Sequence, residues 1–124
     1  MKHKTAFERE IRGETVRHPP SGLIPARRVI EGQTAVLKPL DPAVHGAALY
    51  KASHGSDAAL DIWTYLPWGP WESEAGFMTH MAANAASFEY IWYAFRHKES
   101  GHIKGLACYL DVQPAQSVIE IGGI

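Results

Sequence analysis

An α+β domain, with helices on one side of a mixed, mainly antiparallel sheet, is the fold class that three observations predict. The first is size: 124 residues, 46% apolar and 20% charged, suit one globular domain with one core. The second is the order of periodicities, a β-prone run, two or three helical segments and then three β-prone runs in succession. The third is how the chain stops, on an apolar strand that carries no polar cap. The order is therefore β-α-α-(α)-β-β-β, truncated after the fourth strand, and such an edge invites a partner.

Each element has a local cause. Thr34 to Leu40 is β-prone and closes on Pro39, which cannot donate to a ladder. Asp41-Pro42 supplies a side-chain acceptor and a preset φ, a strong helix start. A helix over 42–54 follows, with Val44, Ala48, Leu49 and Ala52 on its inner side and His54-Gly55 at its end. A second short helix covers Asp57–Ile62. Two prolines and a glycine then keep Trp63-Thr64-Tyr65-Leu66-Pro67-Trp68-Gly69-Pro70-Trp71 from continuing as helix. Past Ser73, a cap, the stripe Phe77, Met78, Met81, Ala82, Ala85 and Phe88 predicts the longest helix, 73–87. Tyr90–Phe95, a turn at Lys98–Gly101 and Ile103–Val112 form a hairpin, and Ser117–Gly122 is a third consecutive strand. Residues 1–32 read as an irregular basic arm with a frayed helical turn near Phe7–Ile11, and residues 33–124 as the domain. Arg27-Arg28 within that arm reads as a solvated linker.

Composition excludes several function classes. A net charge of −1 argues against a general polyanion binder, so no nucleic-acid partner is expected. The basic excess sits in residues 1–32, with seven Lys/Arg against four Asp/Glu. No apolar run approaches the ~20 residues of a membrane span. One cysteine, Cys108, forbids an intrachain disulfide and points to a reducing, cytoplasmic setting. Cys108 itself reads as a small buried hydrophobe. The seven histidines show no metal-ligand spacing and read as surface residues; no metal is expected. Serine-elbow, P-loop, dinucleotide and CxxC signals are absent.

Two features carry chemistry. Three tryptophans and a tyrosine within Trp63–Trp71 are hard to bury completely in a small domain. They either staple the helices to the sheet or line a groove, with Trp63, Tyr65, Leu66, Pro67, Trp68 and Trp71 as the candidate substrate contacts. Glu120 lies on the last strand, facing the same side as Gly122 while Ile119 and Ile121 face the other. A carboxylate between isoleucines is often partly desolvated, which suits it to act as a base; an ordinary surface carboxylate is the alternative.

Taken together, Arg28, Leu37-Lys38-Pro39-Leu40-Asp41-Pro42-Ala43-Val44-His45, Trp63–Trp71, Tyr93-Ala94-Phe95, Glu99-Ser100-Gly101, Gly105 and Ile119-Glu120-Ile121-Gly122 resemble a GNAT-type N-acetyltransferase. The branch most similar is that of the ribosomal-protein alanine acetyltransferases, over about residues 28–124. The resemblance implies transfer of an acetyl group from acetyl-CoA to a primary amine, either a protein N-terminus or a small amine. It implies that the last strand, through Ile119, Ile121 and Gly122, lies beside the pantetheine arm, that Glu120 is the base, and that the Trp63–Trp71 loop shapes the acceptor pocket. Members of that family continue into a glycine-rich loop at a helix N-terminus that holds the CoA pyrophosphate, and Gly122-Gly123 is not that loop. The expectation is thus an N-terminal, acceptor-side fragment with weak or no activity alone, able to pair with a second copy through strand 117–122. Two alternatives are a non-catalytic module that binds a peptide or small amine in the aromatic groove, and a nonfunctional relic.

Overall fold

The structure, a computed structural model, describes Glu14 and residues 22–124; the turn expected at Phe7–Ile11 lies outside them. Five strands form one sheet in the order of the chain: β1 (Ile30–Glu31), β2 (Ala35–Pro39), β3 (Ile91–His97), β4 (Ile103–Gln113) and β5 (Val118–Gly122). Every pairing is antiparallel. Between β2 and β3 lie α1 (Pro42–His54), α2 (Asp57–Leu60), a 3₁₀ turn (Asp61–Tyr65) and α3 (Glu74–Ala86). The α+β order expected from the sequence is therefore present, with one strand more. Ile30–Glu31, read as the end of an irregular arm, pairs with Val36 and Leu37.

The helix boundaries follow from their caps. Asp41 is extended and accepts from the Ala43 N–H, with Pro42 as the first helical residue. Ser73 does the same for α3 through the Gly76 N–H. Each such cap satisfies a backbone donor that the helix itself cannot, for about 1 kcal/mol.

Which faces the helices bury differs from the apolar count. On α1 the buried residues are His45, Gly46, Leu49 and Ser53, whereas Val44 is 68% exposed. The reason is packing against α3: a Cβ on Gly46 would meet Met78 Sδ at 2.2 Å, so α1 turns its glycine toward the neighbouring helix. His45 tolerates burial because its Nδ1 accepts the Asp41 N–H at 3.0 Å, leaving a polar ring satisfied in the core. On α3, Phe77 and Met81 are fully buried, but Ala82 faces out and Phe88, expected in the core, is 99% exposed beyond the helix end.

The core lies between the helices and one face of the sheet, built on Leu40, Leu49, Trp63, Phe77, Met81, Trp92, Ala94 and Cys108. Residues of the opposite face, Tyr93 and Ala107, are also buried. There the chain from Gly22 onward crosses the sheet. The Gly22 N–H donates to the Pro114 carbonyl at 3.2 Å and Tyr93 Oη to the Ala26 carbonyl at 3.2 Å. Arg27 is not a free linker charge, since its guanidinium donates to the carbonyls of Ser87 and Tyr90 and ties this segment to the α3–β3 connection. β4 carries a bulge between Leu110 and Gln113, where Asp111 takes a positive φ of 46°. One extra residue on that strand bends it and resets the register of β5.

Candidate active site

The aromatic stretch folds in two parts. Trp63 sits in the 3₁₀ turn, 8% exposed, and its indole Nε1 donates to the Ser53 carbonyl at 3.0 Å. Its ring meets Trp71 edge-on at 5.2 Å. The stretch packs against both α1 and α3, and part of it walls a cleft. Trp63, Leu66 and Trp68 line an apolar cleft of about 330 Å³ between α1, α3 and the sheet, with Leu49, Met81 and Leu106 on the other sides. Of the remaining candidates, Tyr65 is 95% exposed and, with Pro67, stands outside that lining. Trp71 packs beneath it, against Phe77 at 5.5 Å and His80 at 4.5 Å.

Two histidines that spacing did not single out complete this layer. His54 stacks on Tyr50 at 4.4 Å, shares a hydrogen bond with Ser53 Oγ at 2.8 Å, and accepts the Trp71 N–H on Nε2 at 3.1 Å. His80 lies against Trp71 and Trp68. Burial pushes the pKa of both below the usual histidine value, which favours the neutral ring. His45 is shifted the same way, by burial first, with Asp41 opposing and Lys38 reinforcing the shift. A signal for His80 was in the sequence: Phe77, His80, Met81 and Asn84 follow the i, i+3, i+4, i+7 pattern of one helix face. For His54, whose partners come from four elements, none was.

On β5 the register pairs Glu120 with Leu110 and Gly122 with Cys108. Paired residues point to the same side, so Glu120 shares the helix-bearing face with Cys108 and Leu110. Ile119 faces the other way and lines the outer cleft with Tyr93 and Tyr109. The partial desolvation expected for Glu120 is not met within this chain: Glu120 is exposed, and Ile119 and Ile121 are 46% and 64% exposed. Its charge nonetheless reaches inward. Burial pushes the Cys108 thiol up to about 11, and the Glu120 carboxylate adds to that shift. The outer edge of β5 has no strand beside it among the described residues. No group of histidine, cysteine or carboxylate side chains suited to a metal ion occurs among the described residues, and no helix there is long and apolar enough to cross a membrane.

Comparison with solved structures places this geometry. A GCN5-related N-acetyltransferase from Brucella melitensis superimposes with a TM-score of 0.80 at 30% identity, over 87% of this chain and 48% of that one. A probable acetyltransferase of the GNAT family from Chromobacterium violaceum does so with a TM-score of 0.72 at 32% identity, over 91% of this chain and 55% of that one. No family model and no curated protein matches. The chain has the fold of the GNAT acetyltransferases, and it spans about half the length of these neighbours.

Proposed function

We propose that these residues form the acceptor-side half of an N-acetyltransferase that moves an acetyl group from acetyl-CoA to a primary amine. The observation that carries the reading is the superposition on an N-acetyltransferase, TM-score 0.80 over 87% of the chain. The site supports it in two ways. Among the described residues no strand pairs with the outer edge of β5, whose backbone runs beside exposed Ile119 and Ile121, a suitable rail for the amides of a pantetheine arm. The cleft walled by Trp63, Leu66 and Trp68 offers an apolar wall beside that face for the carbon skeleton of an amine.

In this reading the amine nitrogen attacks the acetyl carbonyl carbon, the C–S bond breaks, and CoA leaves as the thiol. An alkyl ammonium with a pKa of about 10.4 is unprotonated in fewer than one molecule in about 10³ at pH 7. Glu120, on the helix-bearing face of β5, takes the proton, directly or through water. Its solvent exposure keeps that proton in exchange with bulk water. A positioned base of this kind contributes roughly 10²–10⁴ in rate. Incubation with acetyl-CoA and a panel of amines, followed by mass spectrometry, tests the proposal: slow acetylation is expected, with Glu120→Gln lowering it by about 10²-fold. Acetylation unchanged by Glu120→Gln removes that residue from the role, and no acetylated product from any amine at an acetyl-CoA concentration that the chain demonstrably binds speaks against the transferase reading itself.

A further inference from the structure

Three buried side-chain nitrogens lack a hydrogen-bond partner among the described residues: Nε2 of His80, Nδ2 of Asn84 and Nε1 of Trp92. All three residues line one and the same cleft of about 240 Å³, together with Trp68, Tyr90 and Cys108. Buried polar groups are ordinarily paired, so three left over around a single cavity need a cause. Trp92 is 3% exposed.

The donor set states what fits. An indole nitrogen and an amide nitrogen can only donate, and a neutral imidazole offers one donor and one acceptor. The complementary group is an oxygen acceptor. Among the described residues no lysine or arginine lines the cleft, and the Glu120 charge is felt at Cys108 on its wall. A carboxylate or phosphate would enter without a counter-charge and against that field, which is unfavourable in a desolvated site. A neutral carbonyl meets neither obstacle. The walls also suit a planar group, since Trp68 stands edge-on to Trp92 at 6.3 Å and lies 6.2 Å from His80. Finally, Trp68, Asn84 and Gly123 line both this cleft and the larger one, so one molecule can reach into both.

We infer that this cleft receives a peptide-type carbonyl oxygen, hydrogen-bonded by Trp92 Nε1 and Asn84 Nδ2, from an acceptor whose amine lies in the adjoining cleft. The word acceptor rests on the acetyltransferase reading; the carbonyl subsite does not. Acceptors with an amide next to the amine, such as a peptide N-terminus, are therefore held better than simple alkyl amines.

The test is a titration of the ¹⁵N-labelled chain with alanyl-alaninamide, without acetyl-CoA, following the indole N–H resonances. The Trp92 resonance is expected to move and saturate, while that of Trp63, already bonded to the Ser53 carbonyl, stays in place. Propylamine moves neither. Trp92→Phe, which keeps a ring but loses the donor, and Asn84→Leu, which keeps the volume, each weaken binding about fivefold to tenfold, the loss of one hydrogen bond. An unmoved Trp92 resonance, an equal response to propylamine, or unchanged affinity in both variants overturns the inference. A response to pantetheine but not to the dipeptide amide also overturns it, by assigning the cleft to the other substrate. If the dipeptide amide binds as described yet is never acetylated even where acetyl-CoA is also bound, the subsite stands and the transferase reading falls.

Discussion

At the scale of single residues, Cys108 and Glu120 report on each other across β4 and β5. The thiol is buried, its Sγ lies 3.4 Å from the Gly122 carbonyl to which it donates, and its pKa is pushed up to about 11 from 9.0, by burial first and by the Glu120 charge second. The folded state thus holds this proton to higher pH than the unfolded chain. The stability it contributes is fully present below pH 9.0 and is lost as pH rises through about 11. Alkylation of native Cys108 is expected to be slow at neutral pH and to rise along a profile displaced toward 11, since the thiolate is the nucleophile. Glu120→Gln removes the repelling charge and moves that profile to lower pH. A profile identical in the two proteins would mean that Glu120 does not face the thiol.

At the scale of elements, the loop over Trp63–Trp71 packs closely around one glycine. Gly69 has a φ of +72°, and a Cβ there would stand 2.7 Å from the Trp71 ring and 2.8 Å from the Trp63 ring. Both rings are wedged by other partners, so Gly69→Ala combines left-handed backbone strain with overpacking, and we expect a loss of about 2–4 kcal/mol by chemical denaturation. A change within about 0.5 kcal/mol, the usual range for an unconstrained surface site, would contradict this packing. The same elements show why caps were legible and faces were not. Asp41-Pro42 and Ser73 are local signals, and the helices start where those residues dictate. The buried face of α1 is set by Gly46 seating on Met78 from another helix, a long-range fact that no count of apolar residues contains. Phe88, which continues the apolar period, falls past the Ser87 cap, where the chain has left the helix.

At the scale of the whole molecule, the meander was readable because each strand from β3 to β5 is bounded by its own turn, and short-linked strands in succession usually pair with their neighbours. The short β1 strand was not readable. Two residues with no pattern of their own become a strand because β2 offers them a free edge. The candidate site divides in the same way. Trp63, Leu66 and Trp68 belong to the legible aromatic stretch and do wall the cleft, whereas Tyr65 is solvated, and His54 emerges only when α1, the loop and α3 meet. Glu120 was legible by position on the strand, but its exposure was not, because solvation depends on what lies beside β5.

The central claim is that the outer edge of β5 and the tryptophan-walled cleft beside it receive acetyl-CoA and its acceptor. Titration of the ¹⁵N-labelled chain with millimolar acetyl-CoA, read from the backbone amide resonances, tests it most directly. The account predicts weak binding whose shifts cluster at Ile119, Glu120, Ile121 and Gly122 and extend to Trp68. Shifts gathered instead around Tyr93 and Tyr109 on the opposite face, or none at any residue of β5, would contradict it.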